Sequence, residues 1–244
     1  MPKHGKKYLA AVALLDQDSQ YKPTEAVDLL KKTNFVNFDP TIEVHMRLGI
    51  DPRHADQQLR STATLPHGTG KSVRVLVFAE GEGERIALDA GADYAGSDEL
   101  INRINGGWVE FDVAIAVADQ MGKIGKAGLG KVLGRRGLMP NPKSGTIVAN
   151  PNDLPRAITE AKGGKVEFRN DRTGLLHIGI GKLSFSEEQI KDNLLSILDA
   201  VVRAKPPGAK GTYVKSITLT STMGPGIHMD VTSSLAEAAG AARA

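Results

Sequence analysis

The residues between Met121 and Thr146 have the composition of a phosphate-binding loop. The stretch MGKIGKAGLGKVLGRRGLMPNPKSGT contains seven glycines, six lysines or arginines and no acidic residue. Glycines let backbone N–H groups approach phosphate oxygens, and lysine or arginine neutralises their charge. The same composition also fits an RNA-binding surface or a basic linker, so finer spacing must decide between a nucleotide site, an RNA site and a linker.

Three glycine-rich segments each lack part of a nucleotide-binding motif. LPHGTGKS ends as a P-loop does, but Leu65 stands where the first glycine is needed, and the segment precedes a strand instead of opening a helix. In GKAGLGKV, Val132 replaces the hydroxyl residue that would hold magnesium. In AEGEGERI, Ile86 replaces the third glycine and three glutamates would repel a pyrophosphate. An enzyme that depends on a nucleotide or dinucleotide is therefore disfavoured.

Other catalytic and metal-binding patterns are also missing from the sequence. There is no cysteine, and the six histidines show no helical pair with a carboxylate at metal-ligand spacing. No GxSxG segment and no suggestive pair of acids occurs. The sequence predicts a protein that is not an enzyme and that uses no cofactor and no metal.

Charge is segregated along the chain although the formal net charge is only +3. No acid occurs between Asp119 and Asp153 or between Asp199 and Asp230, and each of these stretches carries several lysines and arginines. Segregated basic stretches indicate a polyanionic partner, and RNA is the partner that glycine-rich basic segments fit best. Solvated loops, or an interaction module with a basic surface but no specific RNA, are the alternatives.

Alternating strands are predicted near both ends of the chain. In TIEVHMRL, Thr41 to Leu48, apolar and polar residues alternate, which is typical of a half-exposed antiparallel strand. TYVKSITLT, Thr212 to Thr220, has a similar pattern. KVEFR and LLHIGIG, on either side of Asn170 to Gly174, suggest a hairpin. The segment after Ser186 predicts a helix that opens with a capping box completed by Gln189.

The middle of the chain has a different pattern. Val73 to Ala79 and Asp112 to Ala118 are continuous apolar runs, as in parallel strands buried on both faces, and helical patterns and a short strand at Ala92 to Gly96 lie between them. We therefore predict a discontinuous α+β domain with an inserted α/β Rossmann-like domain, joined by a two-strand hinge. The predicted boundaries are residues 1–67 plus 161–231 for the first domain, 68–160 for the second, and a disordered tail at 232–244.

Five longer segments together resemble one known family. LGRRGLMPNPKSGTIV (133–148), EFRNDRTG (167–174), KPPGAKGTYVKS (205–216), TMGPG (222–226) and EVHMRLGIDPRHADQQLRST (43–62) are similar to motifs of the ribosomal protein L1 family, in the same order. The resemblance covers residues 1–231. One departure is Arg135, where the family usually has proline, and it adds a positive charge.

The resemblance implies a structural constituent of the large ribosomal subunit that is cytoplasmic, ribosome-associated, monomeric when free and not bound to a membrane. It implies that the discontinuous domain binds large-subunit rRNA at the mobile stalk and that the protein assists release of deacylated tRNA from the exit site. It also implies repression of translation through a leader in the protein's own operon mRNA; the alternative is that no autoregulation operates in this organism.

The resemblance also indicates which residues contact RNA. The implied rRNA-binding residues are Phe38, Thr41, Arg169, Asp171, His177, Lys182, Ser216, Thr218, Thr222, Met223 and Gly224. The implied secondary RNA contacts are Lys123, Lys126, Lys131, Arg135, Arg136 and Lys143. For Phe38, the sequence alone leaves open whether the ring stacks on a base or packs in the core.

Overall fold

The structure is a computed structural model that describes residues 5–16 and 18–241. The helices, in chain order, are α1 (Lys6–Val12), α2 (Pro23–Lys32), α3 (Glu82–Asp89), α4 (Asp98–Asn105), α5 (Met121–Lys126), α6 (Gly130–Arg136), α7 (Leu154–Lys162), α8 (Glu187–Arg203) and α9 (Val231–Ala241). The strands are β1 (Thr41–Leu48), β2 (Arg60–Thr64), β3 (Val75–Phe78), β4 (Tyr94–Gly96), β5 (Val113–Val117), β6 (Ile147–Val148), β7 (Lys165–Arg169), β8 (Leu175–Lys182), β9 (Val214–Ser221) and β10 (Ile227–Met229).

The chain divides into two compact units. Unit 1 consists of Met1–Gly70 and Val166–Ala244, and unit 2 consists of Lys71–Lys165. The boundaries fall a few residues from those predicted, 67/68 and 160/161. The hinge between two moving domains stays a prediction.

Unit 1 is built on an antiparallel sheet with the strand order β10-β9-β1-β8. The alternation in β1 has the predicted consequence, because Ile42, Val44, Met46 and Leu48 are buried and the residues between them are not. Burying each such side chain stabilises the fold by about 1.5–3 kcal/mol. Helices α2 and α8 contribute to the same apolar core, so the polar face of the sheet remains uncovered by them.

Helix α8 begins with the predicted capping box. The Ser186 hydroxyl accepts a hydrogen bond from the Gln189 backbone N–H at 3.2 Å, and the Gln189 side-chain oxygen accepts one from the Ser186 N–H at 3.0 Å. These bonds satisfy two N–H groups that a helix start otherwise leaves unpaired. The buried side chain of Asn193, near the middle of the helix, donates to the carbonyl groups of Ile180 in β8 and of Gly68, and these bonds tie the helix to the sheet.

Unit 2 contains a parallel sheet with the order β4-β3-β5-β6. All four residues of β3 are buried, as the continuous apolar run predicted. Helices α3 and α4 connect its strands and bury apolar side chains against both faces. The prediction of alternating strands and helices between Val73 and Ala118 is confirmed.

The predicted hairpin around Asn170 to Gly174 is wrong. Strand β7 pairs with β2 in a separate two-stranded sheet, whereas β8 joins the four-stranded sheet. Asn170 is the reason, because its N–H donates to the Leu59 carbonyl and its side-chain oxygen accepts from the Leu59 N–H. These two bonds hold the end of β7 against β2. After β7, the chain therefore leaves the two-stranded sheet and enters the four-stranded sheet as β8.

The predicted disorder of the tail 232–244 is wrong for residues 232–241, and residues 242–244 lie outside the described part. Residues Val231–Ala241 form α9, whose first backbone N–H groups are capped by the Asp230 carboxylate. Ser234 and Ala238 are buried, and Glu237 pairs with Lys191 of α8 at 3.2 Å. Alanine-rich composition favours a helix, and an apolar stripe at i, i+3 and i+4 spacing gives this helix a face to pack on α8.

Candidate nucleic-acid interface

Three of the predicted RNA-contacting residues meet where β1 begins. The Thr41 N–H donates to the Thr222 hydroxyl at 3.1 Å, and the Thr222 N–H donates to the Thr41 carbonyl at 2.9 Å. The Lys182 ammonium donates to the Thr41 hydroxyl at 2.9 Å. The two ends of the chain thus form one corner of the sheet, which places hydroxyl groups and a cation together.

The turn after β9 contains one strained backbone conformation and several close contacts. Met223 has a φ of 70°, a left-handed conformation that non-glycine residues rarely adopt. At Gly224 an added Cβ would lie 2.4 Å from the Ser221 hydroxyl and 3.2 Å from the Ser221 carbonyl, so a larger residue would have to displace Ser221. The Thr220 hydroxyl is within 3.3 Å of the Gly224 carbonyl. Strain of this kind concentrates at functional sites, where the surroundings fix it.

Two large apolar side chains are exposed near this corner. Met223 is 68% exposed, and Phe38, three residues before Thr41, is 55% exposed. The exposure answers the question left open for Phe38, which is not a core aromatic. Exposed aromatic rings can stack on unpaired bases, which is how single-stranded RNA elements are commonly held. The exposed Met223 side chain offers an apolar contact surface.

A row of polar side chains crosses all four strands of the sheet. In the strand register, His45 of β1 lies opposite His177 of β8 and Thr218 of β9, and Thr218 lies opposite His228 of β10. The two Nδ1 atoms of His45 and His177 are 2.8 Å apart, and the Thr218 hydroxyl is 3.2 Å from the Nδ1 of His228. The row therefore presents hydrogen-bonding groups to a ligand on the open face of the sheet.

The electrostatics of His45 follow from this contact. Partial burial and the neighbouring His177 ring lower the pKa of His45 below 6.5, and the Glu43 carboxylate, 3.6 Å from its Nε2, opposes the shift. These effects favour the neutral form of His45.

Ser216 lies at the opposite end of β9 from the Thr222 turn. It is exposed and pairs in register with Arg47 of β1, whose side chain points to the same polar face as His45. The predicted residues of β9 therefore span the length of the sheet face and are not confined to one corner.

A cavity of about 900 Å³ lies next to His177. Its lining includes Arg53, Arg60, Arg169 and Arg172. Arg60 pairs with Glu167 at 2.5 Å, whereas Arg169 and Arg172 make no ion pair within the described part of the chain. Unpaired arginines around a concavity suit a sugar–phosphate backbone, because the guanidinium group binds phosphate through two N–H groups.

Asp171 supports the turn before β8 instead of offering a free contact. Its carboxylate accepts hydrogen bonds from the Leu175 N–H and from the N–H and hydroxyl of Thr173. These bonds, led by the one from Leu175, lower the pKa of Asp171. The structure thus gives Asp171 a role in shaping the loop that carries Arg172 and follows Arg169 at the end of β7.

The predicted secondary contacts lie in unit 2, and all of their side chains are exposed. Lys123 differs from the rest because it pairs with Glu80, which raises the pKa of Lys123 and lowers that of Glu80. The others make no ion pair within residues 5–16 and 18–241: Lys126, Lys131, Arg135, Arg136 and Lys143. Five free cations on α5, α6 and the following turn form a surface with positive potential.

The glycines among these cations face open space. A Cβ added at any of six positions would have no neighbour within 4 Å: Gly122, Gly125, Gly128, Gly130, Gly134 and Gly137. Glycine inside a helix costs about 0.5–1 kcal/mol relative to alanine, and the open positions show no packing that requires it. The gain is a bare backbone surface that a ligand can approach closely.

Several residues of the interface were not predicted from the sequence. They are Glu43, His45, Arg47, Arg53, Arg60, Arg172 and His228. The alternation of β1 already pointed Glu43, His45 and Arg47 to the polar face, and that pattern was a sufficient signal for them. The arginines carried no such signal, since Arg53 and Arg172 come together only through the pairing of β2 with β7.

The described residues contain neither a metal-binding cluster nor a membrane-spanning helix. No group of three or more histidine or acidic residues there could hold a metal ion. None of the helices described between residues 5 and 241 is long and apolar enough to cross a membrane.

Comparison with known proteins gives consistent matches over nearly the whole chain. The model of the Ribosomal protein L1p/L10e family matches residues 30–225. The chain is 59% identical over 238 residues to the large ribosomal subunit protein uL1 of Thermomicrobium roseum, covering 98% of both chains. It is 62% identical to the protein of that name from Chloroflexus aggregans, covering 95% of this chain and 97% of the relative. It is 55% identical to that of Dehalococcoides mccartyi, covering 95% and 96%.

Proposed function

Because the chain belongs to the Ribosomal protein L1p/L10e family, a family of structural and non-enzymatic proteins, we propose that it is a constituent of the large ribosomal subunit in the cytoplasm and binds the rRNA of the mobile stalk. The relatives carry the name of a large-subunit protein and align with this chain almost from end to end.

The observation that carries the proposal is the corner formed by Thr41, Lys182 and Thr222. It joins hydroxyl groups, a cation and a strained turn, and the exposed side chains of Phe38 and Met223 flank it in sequence. Such a surface fits the shape, ribose hydroxyls and unpaired bases of a folded RNA. The histidine row and Ser216 extend the surface along the sheet.

Unit 1 carries the principal rRNA site in this proposal, and unit 2 makes the secondary contacts. The free cations and bare glycines of α5 and α6 suit the backbone of an RNA without reading its sequence. Arg135 belongs to this set, and its exposed side chain adds one positive charge to the surface.

The arginine-lined cavity supplies a second phosphate-binding surface on unit 1. A protein that holds stalk rRNA while it assists release of deacylated tRNA from the exit site needs a surface beyond its rRNA site. We assign the tRNA contact to the free cations of α5 and α6 in unit 2, whereas the cavity, which His177 lines, extends the rRNA surface of unit 1. Repression of the protein's own operon mRNA would use the principal site, because a leader that resembles the rRNA competes for the same corner.

The test is competition binding with the isolated protein. A fragment of stalk rRNA should bind at moderate salt and resist an excess of bulk tRNA, whereas the Thr222→Val and Met223→Ala variants should lose this preference. A matched control is Val202→Ala, an exposed apolar residue of α8, the helix that packs on the buried face of the sheet. Equal displacement of wild-type protein by bulk tRNA would mean that the surface is basic but not specific, and the proposal would fail.

A second experiment tests the division of labour between the units. Replacing Lys71–Lys165 by a short glycine-serine linker should leave most of the rRNA affinity intact, provided that circular dichroism shows the remaining sheet to be folded. Complete loss of rRNA binding by a folded unit 1 would reverse the assignment.

A further inference from the structure

We infer that His45 holds the proton of His177 on Nδ1, which leaves the Nε2 of His177 with a free lone pair. This Nε2 accepts a hydrogen bond from a ribose 2′-hydroxyl of the RNA. The inference rests on the proposed function and deepens it, because it names a chemical group that the sheet face recognises. His45 acts as a positioning residue in this arrangement, and His177 makes the contact.

The first step is the hydrogen bond between the rings. The two Nδ1 atoms are 2.8 Å apart, which is a hydrogen-bond distance. One Nδ1 therefore carries a proton and donates the hydrogen bond, and the other accepts that bond through its lone pair. A pair of neutral rings at this distance has two possible arrangements. Either the His45 Nδ1 or the His177 Nδ1 is the donor. In a neutral ring, the choice of donor also decides whether Nε2 carries a proton.

The second step is the pair of carboxylates near the outer nitrogens. The Glu43 oxygen is 3.6 Å from the His45 Nε2, and no other described group takes up its carboxylate. The Asp171 oxygen is 4.0 Å from the His177 Nε2, and the Asp171 carboxylate is already occupied by Thr173 and Leu175. A proton on the His45 Nε2 is therefore stabilised more than one on the His177 Nε2.

The third step follows from proton counting. With its proton on Nε2, the neutral His45 ring has a bare Nδ1, which accepts the Nδ1–H of His177. The His177 Nε2 then carries a lone pair only. Its side chain is 52% exposed, whereas that of His45 is 30% exposed, so the lone pair is the part of the pair that a ligand reaches.

A bare acceptor on the sheet face selects for a donor on the RNA. Phosphate oxygens are acceptors and gain nothing from it, whereas the ribose 2′-hydroxyl can donate and distinguishes RNA from DNA. Thr218 and His228 continue the row on the other side of His45, and Arg47 and Lys182 supply positive charge along the same face, so the ribose would sit among groups that also hold the backbone.

The tautomers can be measured directly in the free protein. Side-chain ¹⁵N–¹H correlation spectra at neutral pH should show His45 protonated on Nε2 and His177 protonated on Nδ1. The opposite assignment for His177 would overturn the inference. His45→Asn should preserve the Nδ1–H form of His177, because the asparagine oxygen can take the place of the bare Nδ1, whereas His45→Phe should release it.

The RNA contact is tested with a stalk rRNA fragment in which single riboses carry 2′-fluorine. Fluorine keeps the sugar conformation but cannot donate a hydrogen bond. Wild-type protein should lose about 3- to 10-fold in affinity at one ribose, as expected for one hydrogen bond. The penalty should be absent in His177→Ala, reduced in His45→Phe and restored in His45→Asn.

The outcomes separate this inference from the proposed function. If wild-type and His177→Ala protein responded alike to every 2′-fluoro substitution, the inference would be overturned. It would also be overturned if the affinity fell only when a base was changed, because the hydrogen bond to His177 would then come from a base amino group. Thr222→Val protein that binds rRNA like the wild type would instead remove the proposed site as a whole.

Discussion

The hydroxyl group of Thr222 bridges the backbone of Thr41, a residue 181 positions earlier in the chain. It accepts from the Thr41 N–H at 3.1 Å and lies 3.2 Å from the Thr41 carbonyl, which also accepts from the Thr222 N–H at 2.9 Å. The bridge holds the turn after β9 against the start of β1. The position of the exposed Met223 therefore depends on Thr222.

Thr222→Val should remove the hydrogen bonds of the Thr222 hydroxyl while keeping the volume of the side chain. Valine keeps the branched shape but leaves the Thr41 N–H without its partner, so the free energy of unfolding should fall by about 0.5–1.5 kcal/mol. Affinity for stalk rRNA should fall by about tenfold or more, which corresponds to about 1.4 kcal/mol. Urea unfolding and filter binding measure the two effects. Thr222→Ser is the matched control, and it should retain most of both; a valine variant that binds normally would show that the bridge is not part of the site.

Met223→Gly should stabilise the protein and weaken RNA binding. Glycine adopts the φ of 70° without the cost of about 1–2 kcal/mol that a side chain incurs, although part of this gain is lost to the more flexible unfolded chain. The net gain should be about 0.5–1 kcal/mol in urea unfolding. Gly224→Ala is the opposing control, because its Cβ would collide with Ser221 and destabilise the turn. Improved or unchanged RNA affinity in Met223→Gly would exclude the Met223 side chain from the interface.

Alanine in place of Gly125 and Gly134 should have opposite effects on stability and on RNA binding. Each change should raise the free energy of unfolding by about 0.5–1 kcal/mol, since both positions are helical and open. Secondary RNA contacts should weaken, because the methyl groups cover the bare backbone. Gly128→Ala and Gly137→Ala serve as controls and should destabilise the protein instead, as both glycines have a φ of 71°. Unchanged RNA affinity in the stabilised variants would mean that no ligand approaches this surface.

Arg169→Gln and Arg172→Gln should change the salt dependence of RNA binding. Each removes an arginine that has no ion pair in the described part of the chain, so the slope of log K against log salt concentration should become shallower by about 1 per lost phosphate contact. Titrations between low and moderate salt measure the slope. Lys123→Gln provides the contrast, because Lys123 already pairs with Glu80 and should alter the slope little. Equal slopes in all three variants would contradict a role for the cavity in phosphate binding.

His45 should make the free energy of unfolding depend on pH below 6.5. Because the folded state lowers the pKa of His45 below 6.5, the unfolded state binds more protons between the two values, and the stability contribution of His45 increases with pH across this window. This contribution to the free energy of unfolding is fully present above pH 6.5 and is lost as the pH falls through the pKa of His45 in the folded state. Urea unfolding at several pH values should show this loss in the wild type and a smaller one in His45→Phe. A steeper loss in the variant would contradict the assignment.

Much of the local structure could be predicted because short-range patterns determine it. The alternation from Thr41 to Leu48 gave the buried and open faces of β1, and the apolar runs gave the parallel strands of unit 2. The capping box at Ser186 and Gln189 depends on residues three apart. The tail was misjudged although its signal was also local, since Asp230 followed by an alanine-rich stripe already favours a capped helix.

The sequence by itself determined the family, the faces of the strands and the basic stretches, because these properties depend on residue type and on spacing along the chain. Only the tertiary structure decided which distant residues meet. It brought Thr222 to Thr41, placed His177 against His45, and gathered arginines of β2, β7 and their flanking loops around one cavity. Strand pairing between remote segments does all three, and register between such segments cannot be counted from neighbours in the chain.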